Sequence, residues 1–180
     1  MYEARKICNF LLTRYDARIY DLTNLRLNKL LYFIHGWVLT RRSQGLVRNH
    51  FEAWQLGPVI RPVFDTFKVF GEKQIDGLAE HLDYASGQKK AIPYGDITRV
   101  DAETIAAVFE SYVPYTTGQL VELSHETGGP WHVVYTAWAN DTRLSPRIPN
   151  ELIRAHFLRV GFESHEARAI RRTSSMTDAA

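Results

Sequence analysis

The sequence predicts a mainly α protein: a single compact helical domain of about six or seven helices, with at most a small accessory β-sheet. Three observations carry that expectation. Apolar residues recur at steps of three and four through most of the chain, which places them on one face of a helix. Cap residues and Pro/Gly breaks separate these periodic stretches at short-helix distances. The stretches without helical spacing are brief, or carry Pro and Gly where a long strand could not hold them.

Taken in order, residues 2–15 form the first helical pattern, with Ala4, Ile7, Phe10 and Leu11 on its buried face. Cys8 lies beside them and reads as a small hydrophobe, because no activating group follows it locally. After a connector at residues 16–21, Thr23 is placed as N-cap of a long helix. In that helix Leu27, Leu30, Leu31, Ile34 and Val38 share a face, and Tyr32, Phe33 and Trp37 widen it until little is left for water. Such a helix is the centre of its domain. His35 sits in its middle and is followed by Gly36. A mid-helix glycine costs roughly 1 kcal/mol relative to alanine, and usually marks the close approach of another backbone. Two readings of His35 follow. It is either a buried, hydrogen-bonded residue that locks residues 51–58 against the helix, or one wall of a recognition pocket with Glu52 and Trp54.

Arg41 and Arg42 suit the negative end of the helix dipole better than they suit a nucleic-acid patch. Residues 46–56 lack helical spacing and have room for a short extended segment. Gly57-Pro58 is expected to form a fixed corner between two helices. Pro58 would open the second of them, since a first helical turn has no partner for the missing N–H. Val59, Ile60, Val63, Phe64 and Phe67 follow at helical spacing, and Gly71 is a natural stop.

Residues 72–100 are less patterned and read as the most variable and mobile region. Gly87-Gln88-Lys89-Lys90 is its most loop-like run, and a short strand fits within residues 91–100. Asp101 is expected as the next N-cap, with Ile105, Val108, Phe109 and Tyr112 buried and Pro114 as terminator. Thr116 or Thr117 caps a shorter helix whose Leu120, Val121 and Leu123 point inward, ending at Gly128-Gly129. Pro130 opens another, with Trp131, Val134, Tyr135 and Trp138 along one face. Asn150 is expected to cap the last helix, with Ile153, Phe157 and Leu158 as its apolar face. The domain is read as residues 1–162, followed by a polar, flexible tail at residues 163–180.

The bulk numbers exclude several classes. Hydrophobic residues make up 45% and charged residues 23%, enough for a sizeable core without disulfide staples. The net charge of +2 gives no strong pull toward nucleic acid or acidic membranes. A single cysteine cannot form an internal disulfide and fits a reducing cytoplasm. No apolar run reaches the length of a membrane span, and the N-terminus has charges where a signal peptide needs an apolar core. The seven histidines form no HExxH, and no Cys pair accompanies them, so no metal is expected. There is no glycine-rich phosphate cradle, and no cofactor is expected. Ser124, His125 and Glu126 are adjacent, but helical neighbours point about 100° apart, so they are no triad; His125 reads as a helix C-terminal residue held by the dipole. The helix after Pro58 offers Arg61 and Lys68 but also Asp65 and a large apolar face, which makes it a poor DNA-recognition helix.

A set of short motifs then resembles a known family. Lys29-Leu30-Leu31-Tyr32, His35-Gly36-Trp37, Phe51-Glu52-Ala53-Trp54 and Gly57-Pro58-Val59-Ile60 come first. Leu123-Ser124-His125, Gly129-Pro130-Trp131 and Ile148-Pro149 follow in order. Together they resemble the Panacea domain, found in small bacterial and phage antitoxins. No single tetrapeptide is specific; the ordered set is. The resemblance implies a cytoplasmic protein, not an enzyme, that neutralises a partner toxin encoded beside it by direct protein–protein binding. Candidate partner-binding residues are His35, Glu52, Trp54, His125 and Trp131. The small apolar residues that end the tail also suggest a protease contact, although an ordinary frayed terminus explains them as well. The alternative from another class is a small hydrolase or nuclease-like enzyme using His35, His125 and a carboxylate such as Glu52, which requires the three to converge in a cleft.

Overall fold

The structure is a computed structural model and describes residues 1–42 and 44–161. The tail expected at residues 163–180, with its protease contact, lies outside the described residues. Seven α-helices and two small antiparallel sheets are present among the described residues. The helices are α1 (Ala4–Arg14), α2 (Asn24–Arg41), α3 (Arg61–Phe67), α4 (Arg99–Tyr112), α5 (Thr117–Ser124), α6 (Pro130–Asn140) and α7 (Asn150–Val160). A 3-10 turn, Lys68–Phe70, continues α3. The mainly α architecture matches the expectation; the strand content is divided between two sheets rather than one.

The core is built around α2. Fifteen of its 18 residues are buried, so it is enclosed on all sides rather than laid on a surface. Thr23 caps it as expected, accepting the Arg26 amide at 3.3 Å. Burial favours a partner for each polar side chain of α2, and three of those partners lie in three different neighbouring segments. Arg26 donates to the carbonyls of Tyr115 and Val113 at 2.7 and 2.8 Å, satisfying the end of α4. Asn28 accepts the Ile60 amide at 2.9 Å, just before α3. Lys29 donates to the Pro58 carbonyl at 2.9 Å. The apolar pattern builds the core, and this set of hydrogen bonds sets which element lies where.

The first sheet has the order β2-β1-β5, from β1 (Phe51–Trp54), β2 (Gly57–Val59) and β5 (Arg147–Ile148). Ala53 lies opposite Pro58 and Trp54 opposite Gly57. The expected corner between two helices is therefore a tight hairpin, and Pro58 lies in an edge strand that tolerates its missing donor. Pro62 takes the early helical position instead. Gly57 has φ +100, and a Cβ there would stand 2.6 Å from Ser124 Oγ and 3.0 Å from Lys29 Nζ. The second sheet is the hairpin of β3 (Glu80–Asp83) and β4 (Gln88–Ala91). The run expected to be most loop-like is thus largely a strand.

Four further expectations are corrected. Thr98, not Asp101, caps α4. Asp101 is drawn away, accepting the Tyr2 hydroxyl at 2.7 Å and pairing with Arg42 at 3.0 Å. Asn150 begins α7 without capping it, because its side chain is committed to His35. Leu158 is half exposed, and His156 and Val160 join Ile153 and Phe157 on the buried face. Gly36 admits the Phe157 ring of α7 rather than another backbone; a Cβ there would overlap that ring.

Candidate protein-binding site

The structure joins four of the five candidate residues and separates the fifth. His35 is fully buried. Its Nδ1 accepts the Val47 amide at 3.3 Å, so the ring proton lies on Nε2 and is donated to Asn150 Oδ1 at 3.0 Å. Burial pushes its pKa down to about 4, and the ring is neutral. It pins the loop after α2 and the start of α7, and it lines no recognition pocket.

Glu52, Trp54, Trp131 and His125 form one connected unit. Trp54 Nε1 donates to Glu52 Oε2 at 2.8 Å. Arg61 grips the same carboxylate with both prongs, Nη2 to Oε2 at 2.8 Å and Nε to Oε1 at 3.2 Å. The Arg61 guanidinium carbon lies 5.1 Å from the centre of the Trp54 ring, within cation–π range. Phe64 packs edge-on against that ring, with 4.9 Å between centroids. Behind this face, Trp131 donates from Nε1 to the Trp54 carbonyl at 2.7 Å, tying α6 to β1. His125 stacks on Trp131 at 3.6 Å and 5°, and Tyr135 stacks on Trp131 at 4.7 Å.

These residues divide into those that support and those that face outward. Trp131 is buried, and its partner His125 is pushed down to about 4 by burial first and by Lys29 second. A neutral His125 gains nothing from the α5 dipole, so the dipole expectation is corrected; stacking holds it. Arg61 has 58% of its side chain exposed, Glu52 21%, and Trp54 is half-buried beside the exposed Leu56. Arginine beside a tryptophan whose backbone is fixed is the composition enriched at interface centres.

Sequence reasoning missed two residues here. Arg61 stands in the sequence only as a poor DNA contact beside Asp65, and nothing in its local sequence marks Glu52 as its partner. Lys29 is sealed inside the protein, with its pKa pushed down to about 7 by burial. Its position next to Leu30 and Leu31 was the one available signal.

The arrangement does not make a nucleophile–base–orienter chain. Ser124 Oγ donates back to the Val121 carbonyl at 2.7 Å, and both His35 nitrogens are occupied far from solvent. Among the described residues no group of three His, Cys, Asp or Glu is placed to hold a metal ion. No helix among them is long and apolar enough to cross a membrane.

A central helix, a hairpin packed on its lysine and a tryptophan-bearing α6 define a class of small helical protein. A family profile described as "Antitoxin SocA-like, Panacea domain" matches residues 27–132, more than half of the chain. Antitoxin SocA of Caulobacter vibrioides (strain NA1000 / CB15N) is 34% identical over 155 residues, covering 86% of this chain and 82% of that protein. No solved structure matches. The chain belongs to the SocA-like Panacea family.

Proposed function

We propose that this chain is an antitoxin that neutralises a partner toxin by binding it directly, and that the Arg61–Trp54–Glu52 face is the centre of that contact. Family membership and the relative's name support the antitoxin role. The observation that carries the choice of surface is the bidentate Arg61–Glu52 pair lying over Trp54 at the exposed end of the β1–β2 hairpin. Such a cluster offers a partner a flat apolar ring, a guanidinium and a carboxylate already held in place, so little side-chain entropy is lost on binding. Trp131 and His125 act from beneath as positioning residues. The toxin's active or target-binding surface is covered, and the action takes place in the cytoplasm.

Co-expression with the product of each adjacent gene tests the proposal. One neighbour is expected to be toxic alone, harmless with this chain, and to co-purify with it. Arg61→Ala is expected to abolish rescue while the thermal midpoint stays unchanged. If rescue persists with Arg61→Ala, the contact lies elsewhere; if no neighbour is toxic or co-purifies, the antitoxin reading itself fails.

A further inference from the structure

Glu52 lies between two arginines and is taken by one of them. In β1, Phe51 and Ala53 are buried while Glu52 and Trp54 face outward, as strand alternation requires. In β5, Ile148 is buried and Arg147 is exposed. The register sets Glu52 directly opposite Arg147. Residues so placed share a face of the sheet, and opposite charges there ordinarily attract. Here they do not pair. Arg61, arriving from the start of α3, occupies both oxygens of Glu52, and Trp54 Nε1 donates to one of them as well. A bidentate guanidinium is a stronger claim on a carboxylate than a single contact across strands. Among the described residues Arg147 has no ion-pair partner; Glu151, further on in α7, does not pair with it.

The other charges near this face cancel or are absent. Arg61 and Glu52 neutralise each other. In the loop before β5, Arg143 grips Asp141 with both prongs at 2.8 Å. His50, just before β1, has its pKa pushed below the ordinary 6.5 by partial burial first and by Arg147 second, so it is neutral near pH 7. One positive charge is left over. It stands on β5, an edge strand of the sheet, on the same face as half-buried Trp54 and near the hairpin that carries half-exposed Leu56.

We infer that Arg147 is the charge-reading residue of this site, and that the toxin segment docking here brings an Asp or Glu side chain to Arg147 beside apolar side chains that pack on Trp54 and Leu56. This rests on the antitoxin reading and on the Arg61–Trp54–Glu52 face proposed above. Charge balance selects that partner. Arg147, Glu52 and Arg61 form a row across the sheet, and a carboxylate arriving beside Arg147 gives every charge in it an opposite neighbour. A basic segment would meet two arginines with their one carboxylate already taken, and like charges brought together at an interface are costly. Nucleic acid fits less well. Phosphate binding draws on several cations at once, and this face holds one uncompensated cation with a carboxylate at its centre.

The test uses the purified product of the adjacent gene as probe, titrated with the full chain at about 50 mM and about 500 mM salt. Arg147→Gln is expected to bind about three- to tenfold more weakly at low salt, and the deficit is expected to shrink at high salt, where the lost attraction is screened. Arg147→Lys keeps the charge and should keep most of the affinity. The side chain is exposed and unpaired, so the thermal midpoint of both variants should hold. Full-strength binding by Arg147→Gln while Arg61→Ala binds weakly overturns this inference and leaves the proposed face intact. Full-strength binding by both overturns the inference and the face together. A wild-type chain that binds no neighbouring product overturns the antitoxin reading and the inference with it. A deficit that is the same at both salt concentrations, or that Arg147→Lys shares in full, assigns Arg147 a packing role and overturns charge reading. Tight, salt-sensitive binding of duplex DNA that Arg147→Gln loses would make phosphate the ligand, and also overturns it.

Discussion

Lys29 is a cation in the core with a carbonyl, not a carboxylate, as its hydrogen-bond acceptor. Unfolded, the amine stays protonated up to its ordinary 10.5; folded, it does so only up to about 7. Between those values the unfolded chain holds the extra proton, so stability rises with pH across that window. Below about 7 both states are charged and the destabilisation is at full size. Lys29→Met removes the charge while keeping the bulk. Its stability relative to wild type should therefore fall by roughly 2–3 kcal/mol between about pH 6.5 and 9.5, on a scale of about 1.4 kcal/mol per pH unit. Urea unfolding at the two pH values measures this, and a difference that does not change with pH would contradict it. Gly36 sets two effects in opposition. Alanine there gains about 1 kcal/mol of helix propensity, while a Cβ overlapping the Phe157 ring typically costs 1–3 kcal/mol or more. The overlap should win, and Gly36→Ala should lower stability by about 1–2 kcal/mol in the same assay. The sequence showed that Gly36 needed a close neighbour. It could not show that the neighbour was an aromatic ring from a helix more than a hundred residues away.

The elements show where local signals suffice. Thr23 and Thr116 cap α2 and α5 as expected, because no distant group competes for their hydroxyls. Asp101 and Asn150 are equally good cap residues by type, yet Arg42 with Tyr2 claims one and His35 claims the other. The β3–β4 hairpin was illegible for a different reason. With almost no buried face it has no apolar alternation, and Gln88-Lys89-Lys90 looks like a loop. What holds it is Asn9, far off in sequence. Asn9→Ala strands the Ala79 amide and two carbonyls, at about 1–3 kcal/mol for a buried unpaired group. The expected outcome is a loss of about 2–4 kcal/mol, with hydrogen exchange accelerated in residues 79–92 well before α2 loses protection. Equal acceleration in both would mean that the hairpin is part of the central cooperative unit.

In the whole molecule, α2 joins structure to proposed function. Its apolar residues were legible as a core helix. Its polar residues carry the layout: Lys29 fixes the β1–β2 hairpin, that hairpin presents Trp54, and Asn28 fixes the start of α3, which presents Arg61. Of the candidate site, Glu52 and Trp54 were legible as polar and aromatic residues beside a break. Arg61 was not, because the Glu52–Arg61 pairing depends on a hairpin turn where a helical corner was expected. Titration of the purified toxin with this chain, followed calorimetrically, tests the central claim most directly. Direct neutralisation through the Arg61–Trp54 face predicts saturable binding that weakens by about thirtyfold in Arg61→Ala, the scale of an interface hot spot. A chain that rescues growth yet gives no binding heat and no complex, or that binds equally well without Arg61, would contradict it.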